Sequence, residues 1–251
     1  KFFVIFWSVV LVGIIGVFVF FWLISAGKLG FMPTFEELEN PNNRFASEVY
    51  FADGPIMNRY FEKENRKYIE YREIPQSVID ALIATEDVRF YDHSGVDVRG
   101  LFRVAKGLLT ANTSAGGGST ISQQLAKMLF PRESDLNVFE LAIRKFREWV
   151  IAVRLEKSYT KEEILTMYLN GVPCTILNKY DFLNLAVGIS SAADIYFQVP
   201  LDSLKVEQAA MLIGMAKNSS YYNPVRRPEL TLNRRNVVLS QMYKYDKITR
   251  E

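Results

Sequence analysis

Within twelve residues the chain places two adjacent acids, an aromatic ring and its only histidine, in the order Glu86-Asp87-x-x-Phe90-x-x-His93-x-Gly95-x-Asp97. Acid-base chemistry needs a carboxyl group whose surroundings make it accept a proton near neutral pH. Val78, Ile79, Leu82 and Ile83 recur at three- and four-residue spacing ahead of the cluster, which predicts a helix with one apolar face. Glu86 continues that face at the helix end, so its carboxyl is expected to be partly desolvated and improved as a base. A solvated helix end, with His93 bonded in a loop, accounts for the same residues without chemistry.

A second constellation suits phosphate. The run Ala115-Gly116-Gly117-Gly118-Ser119 leads into Thr120-Ile121-Ser122-Gln123-Gln124-Leu125-Ala126-Lys127, and Thr120 with Gln123 fits a capping box at a helix start. Free backbone N–H groups and the helix dipole favour anions there. Gln123, Gln124 and Lys127 share one face of that helix, while Ile121, Leu125, Met128 and Leu129 fill the other. No Gly-Lys-Ser/Thr ends the run, so it is not a nucleotide phosphate loop, and a plain flexible loop before an ordinary helix remains an alternative. Arg144-Lys145-x-x-Glu148 sets two cations three and four residues before an acid, which a simple ion pair along one helix explains equally well.

The elements that must hold these groups are legible around them. Phe2 to Ile24 carries no charge and only Ser8 as a polar side chain. At 1.5 Å per residue that run crosses a hydrocarbon layer of ~30 Å, so residues 1–27 read as a transmembrane anchor, longer than a signal peptide's apolar stretch. Residues 28–72 follow as linker and β-hairpin: Lys28 to Asn43 is rich in Pro and Glu, and Ala46 to Ala52 and Ile56 to Phe61 are strand-like runs about Asp53-Gly54-Pro55. Residues 73–251 read as one mainly helical domain. In it Arg99, Arg103 and Lys106 line one side of an amphipathic stretch with Leu101, Phe102, Val104, Leu108 and Leu109, suited to anionic headgroups. A long helix is expected at about 138–157, and Thr160 with Glu163 caps another. The net charge of +2 lacks the basic excess of a nucleic-acid binder, and one cysteine with one histidine excludes an internal disulfide and a His-rich metal cage.

Taken in order, these segments resemble the family-51 peptidoglycan glycosyltransferases, found alone or as the N-terminal domain of class A penicillin-binding proteins. The resemblance runs from about Ala46 to Thr249. It rests on the Glu86 cluster, on Gly117 to Lys127, on Arg144-Lys145-x-x-Glu148, on Glu156 with Lys161 to Leu165 and Tyr168-Leu169-Asn170, and on Ala192-Ala193-x-x-Tyr196-Phe197 with Glu207-x-Ala209. The leader Gly30 to Asn40 is similar to class A proteins of the Bacteroides group, which implies a piece of a longer bifunctional chain. The family implies a lysozyme-like helical head, a smaller membrane-associated jaw, and a catalytic domain on the periplasmic side of the inner membrane. Its substrates would be lipid II and the growing glycan lipid, with other cell-wall synthesis proteins as partners and no nucleic acid. Glu86 and Glu148 would be catalytic, with Glu148 assisting the pyrophosphate directly or through Mg or Mn; no covalent cofactor is implied. Substrate would be bound by Asp87, Phe90, His93, Gly118, Ser119, Thr120, Gln123, Gln124, Lys127, Arg144, Lys145 and Asn170.

Two stretches depart from the family pattern: Gly171 to Asn178, followed by Lys179-Tyr180-Asp181-Phe182, looks like an insertion, and Gln198-Val199 stands where Gly-Lys often follows Tyr-Phe. They motivate a scaffold reading, and a desolvated glutamate on a helical fold also suits a glycan hydrolase or lytic transglycosylase. Ser25 to Lys28 and Ser158 to Lys161 match Ser-x-x-Lys by chance, and no Lys-Thr-Gly occurs in this sequence, so these residues hold no transpeptidase site.

Overall fold

The first helix, α1 (Phe2–Ser25), is apolar over its whole length, and its side chains face outward, with Phe2, Val12 and Phe18 each at least 69% exposed. A helix of this length spans about 36 Å. It is the one described helix long and apolar enough to cross a membrane. Gly27 stops it: at φ +69° it takes the left-handed conformation of a Schellman cap, with Gly27 N–H donating to Ile24 O and Lys28 N–H to Leu23 O. The computed structural model describes residues 1–34, 37, 47–50, 56–60, 65–110, 117–130, 136–173 and 186–249. The turn at Asp53 to Pro55, Gly116, linker positions 35–36 and 38–43, and 174–185 of the inserted stretch lie outside them.

Two short strands, β1 (Ser47–Tyr50) and β2 (Ile56–Tyr60), pair antiparallel from Ser47 opposite Tyr60, so the expected hairpin forms with slightly shorter strands. A parallel pair that sequence reasoning missed joins β3 (Asn65–Arg66) to β4 (Ala186–Val187) across the chain. The rest is helical: α2 (Gln76–Glu86), α3 (Val98–Leu109), α4 (Ile121–Leu129), α5 (Val138–Ser158), α6 (Lys161–Gly171), α7 (Ile189–Phe197), α8 (Val206–Ala216) and α9 (Pro228–Lys244).

Helix α2 buries Val78, Ile79, Leu82 and Ile83, the face its periodicity predicts, between α8 and α9. Helix α4 buries Ile121, Leu125 and Ala126 against α5 and α6, which contribute Ile151, Leu155, Leu165 and Leu169. Each buried leucine or isoleucine in this core contributes about 1.5–3 kcal/mol. Glu86 ends α2 and Thr120 begins α4, so the functional segments sit at helix termini facing one another. On α3 the expected apolar side divides. Leu101 and Val104 turn toward Gly118, while Phe102 stays 73% exposed beside Arg99 and Arg103.

Helix α1 is docked on α5. Phe20 and Phe21 stack edge-on against Phe146, and Arg154 donates to the carbonyl and hydroxyl of Ser25 at 2.8 Å and to Pro33 O at 2.9 Å. Helix α7 ends on Gln198, which adopts φ +55° as a left-handed cap. That is the position where the family pattern usually has glycine, and a side chain there costs roughly 1 kcal/mol. Replacing Gln198 with Gly is therefore expected to raise unfolding free energy by about 0.5–1 kcal/mol in denaturant melts, and an unchanged or lower midpoint would contradict the strain.

Candidate active site

The Glu86 side chain is 16% exposed and opens into a hollow of about 430 Å³ between the ends of α2, α3 and α9 and the Gly117–Thr120 segment. Both of its oxygens are held. Oε1 accepts from Arg234 Nη2 at 3.0 Å and Oε2 from Gln124 Nε2 at 3.1 Å. The Gln124 amide is fixed in turn, because the buried Tyr168 hydroxyl donates to its Oε1 at 3.1 Å. Helix periodicity led to the expectation of a partly desolvated carboxyl, and the structure adds a guanidinium partner, Arg234, that the periodicity did not indicate. Arg234 lies 148 residues away on α9, with no local pattern to announce it.

Asp87 points the other way, into the protein, and is 6% exposed. It accepts from His93 Nε2 at 3.0 Å and from the backbone N–H of Ile121, the first residue of α4, also at 3.0 Å. His93 Nδ1 accepts from Gly95 N–H at 3.2 Å, so Nε2 carries the ring proton in the neutral tautomer. Gly95 sits at φ +94°, and a Cβ there would meet the Ala152 backbone at 2.8 Å, so only glycine lets this turn lie against α5. Beneath it Lys161 donates to His93 O at 2.6 Å and pairs with Glu156 at 2.7 Å, and Ser122 donates to Glu156.

The glycine-led start of α4 forms as expected but differs in one bond. Thr120 Oγ1 accepts from Gln123 N–H at 3.2 Å, whereas the Gln123 side chain donates to Gly95 O instead of returning to the cap, so the capping box is half made. Gln123 is fully buried. Thr120 Oγ1 also donates to Gly95 O at 2.7 Å. Asn170 is spent on the backbone of Ile69, accepting its N–H at 3.0 Å and donating to its carbonyl at 2.9 Å, and Phe90 is fully buried with Lys161 over its ring. Of the residues expected to touch substrate, Phe90, His93, Gln123 and Asn170 thus lie behind the walls, while Asp87 and Thr120, though nearly buried, line the first hollow.

A second hollow of about 200 Å³ is lined by Lys127, Leu141, Arg144, Lys145 and Glu148. Lys145 Nζ donates to Glu148 Oε2 at 3.0 Å, to Gln123 Oε1 at 3.2 Å and to Ser119 Oγ at 2.9 Å, and Lys127 lies 3.6 Å from the same Glu148 oxygen. Ser119 and Gly118 line the first hollow, so the two meet at the Ser119–Lys145 bond. Arg144 has no ion-pair or hydrogen-bond partner among the described residues. One carboxylate flanked by two ammonium groups is a poor cage for a divalent cation, and no cluster of three or more His, Cys, Asp or Glu suited to a metal occurs among the described residues. The first hollow also carries Arg103, Lys217 and Lys244, of which sequence reasoning had placed only Arg103 in a basic segment.

A carboxylate in one hollow, with cations gathered one step along it, sets a group able to accept a proton beside a place for negative charge. Residues 53–243 match the family model described as transglycosylase. The chain belongs to this family, the family-51 glycosyltransferases that its motifs resemble. It is 36% identical over 221 residues to penicillin-binding protein 1A of Escherichia coli strain K12, covering 88% of this chain and 24% of that protein. Over 219 residues it is 35% identical to penicillin-binding protein 1A of Neisseria lactamica, covering 87% and 26%. Among solved structures, penicillin-binding protein 1A of Haemophilus influenzae aligns at TM-score 0.40 and 21% identity, over 84% of this chain and 20% of that one. The chain thus spans about a quarter of the length of the curated relatives it matches.

Beside the first hollow, Asp97 pairs with Arg89 and accepts Gly100 N–H at 2.9 Å, which ties the start of α3 to the Glu86 loop. Burial alone would raise the Asp97 carboxyl, but the Arg89 hydrogen bond, with the Gly100 N–H and the guanidinium charge, outweighs it and holds the group below its ordinary range. A depressed carboxylate adds stability above its unfolded value of about 4 and loses it as pH falls through the folded one. Asp97→Asn is therefore expected to cost about 1–2 kcal/mol at pH 7 and to flatten the loss of stability below about pH 4, read by melts across pH. An unaltered acid dependence would refute the pairing's role.

Proposed function

We propose that the chain extends glycan strands from lipid-linked disaccharide, with Glu86 as the base. A Glu86 oxygen removes the proton from the 4-hydroxyl of the acceptor's GlcNAc, and that oxygen attacks C1 of the donor's terminal MurNAc. The bond from C1 to the pyrophosphate oxygen breaks with inversion, and undecaprenyl pyrophosphate leaves with the bonding electrons. Lys127, Arg144 and Lys145, with the Gly118-Ser119 backbone at the start of α4, meet the charge on that leaving group. The proton held by Glu86 passes to water before the next cycle. Asp87, Phe90, His93, Thr120, Gln123 and Asn170 act by holding these groups in place.

The observation that carries this reading is the placement of Glu86 in one hollow and the Lys127–Arg144–Lys145 cluster in the next, joined at Ser119. Glu148 orients Lys127 and Lys145 rather than reacting. The exposed apolar side of α1 supports a single-pass anchor in the inner membrane, and the exposed Val98, Phe102, Val138 and Phe139 extend an apolar surface suited to lipid. The catalytic domain then faces the periplasm, where lipid-linked donors and other cell-wall synthesis proteins meet it.

The test is incubation of detergent-solubilised protein with lipid-linked disaccharide-peptide, with and without magnesium, with products resolved on gels. Wild type should yield ladders of lengthening glycan. Glu86→Gln should reduce turnover by about 10²- to 10⁴-fold with the fold retained, and Glu148→Gln by roughly 10- to 100-fold. Near-normal turnover in Glu86→Gln would remove it as the base. Lipid substrate bound without polymer would favour a scaffold, and cleavage of preformed glycan a hydrolase.

A further inference from the structure

Arg234 belongs to none of the sequence clusters, yet it makes the closest charged contact to Glu86. Its Nη2 lies 3.0 Å from Glu86 Oε1, and the two side chains are only 11% and 16% exposed. The guanidinium is fixed from behind: Nε donates to Gly214 O at 3.4 Å, and the Tyr222 ring lies 5.8 Å from Cζ. These contacts leave Arg234 little freedom to swing away to a leaving group. With Gln124 on the other oxygen, the carboxylate is gripped from two helices, and each oxygen keeps a lone pair free for an incoming hydroxyl.

We propose that Arg234 is a positioning residue for the transfer reaction: it holds the Glu86 carboxylate aimed into the cleft, so that the base is in place before the acceptor arrives. This inference rests on Glu86 being the base. The other charged or titratable groups around this hollow are Arg103 on α3, Lys217 after α8, and Lys244 with Tyr245 at the end of α9. Arg89 with Asp97 and Asp87 with His93 are already paired with one another. Of these groups, Arg234 alone has a direct bond to Glu86 among the described residues. The remaining cations lie along the cleft, where substrate would screen or engage them.

The experiment is kcat and KM for polymerisation of lipid-linked disaccharide-peptide by wild type, Arg234→Gln and Arg234→Lys, with lipid-substrate binding and thermal melting measured alongside. Arg234→Gln is expected to lower kcat by about 10- to 100-fold with KM and substrate binding little changed. Arg234→Lys, which keeps the charge without the fork, should recover part of the lost kcat. An unchanged kcat in a folded Arg234→Gln protein would overturn the proposal, as would a loss confined to KM. Should Arg234→Gln fail to fold, Arg234→Lys decides: a kcat equal to that of wild type, or a loss confined to KM, overturns it. Glu86→Gln run in parallel separates the two levels. If that variant is inactive while Arg234→Gln keeps the kcat of wild type, the base stands and only the role of Arg234 falls; an active Glu86→Gln removes the base itself.

Discussion

The bond from Asp87 to the first backbone N–H of α4 is the constraint on which the cleft depends. Asp87 Oδ2 accepts Ile121 N–H at 3.0 Å while His93 donates to the same carboxylate. That joins the last turn of α2 to the first turn of α4. Glu86, next to Asp87, must then face Gln124, one turn into α4, and Ser119 must fall beside Lys145. A charged acceptor at a helix N-terminus gains both from the hydrogen bond and from the helix dipole. Adjacent acids at a helix end divide the work. Asp87 builds the wall, and the Glu86 carboxyl is left at the hollow.

Much of this was legible in the sequence where the signal is local. The apolar spacing of Val78 to Ile83 gives α2 and the exit of Glu86, and Thr160 with Glu163 forms both halves of its capping box. Where a residue's partner lies far along the chain, local pattern fails. Gln123 looked like the second half of a cap and a ligand for substrate, yet Gly95 O, 28 residues away, takes its amide. Asn170 looked like part of the site, but it closes a bond to Ile69 across 101 residues. Arg234 could not be found from spacing at all, since only the packing of α9 on α2 brings it to Glu86. The family resemblance supplied which residues belong together, and the coordinates divided them into groups that face the cleft and groups that support it.

The anchor bears on the same architecture. Phe146, against which Phe20 and Phe21 stack, follows Lys145 directly on α5, and Arg154 secures the exit of α1 through Ser25 and Pro33. The helix that carries Arg144, Lys145 and Glu148 is therefore the one on which the membrane segment rests. The cationic hollow, proposed above to meet the leaving group, is thereby held on the same helix as the apolar α1.

The central claim is that the two hollows receive the two reacting ends, the acceptor beside Glu86 in the first and the donor pyrophosphate in the second, with Ser119 where they meet. Its most direct measurement is a structure of the Glu86→Gln variant bound to a lipid-linked disaccharide on each side. The account predicts the acceptor's 4-hydroxyl within hydrogen-bonding distance of the side chain at position 86 and the donor pyrophosphate against Lys127, Arg144 and Lys145. A pyrophosphate seated elsewhere, or no sugar hydroxyl near position 86, would contradict it.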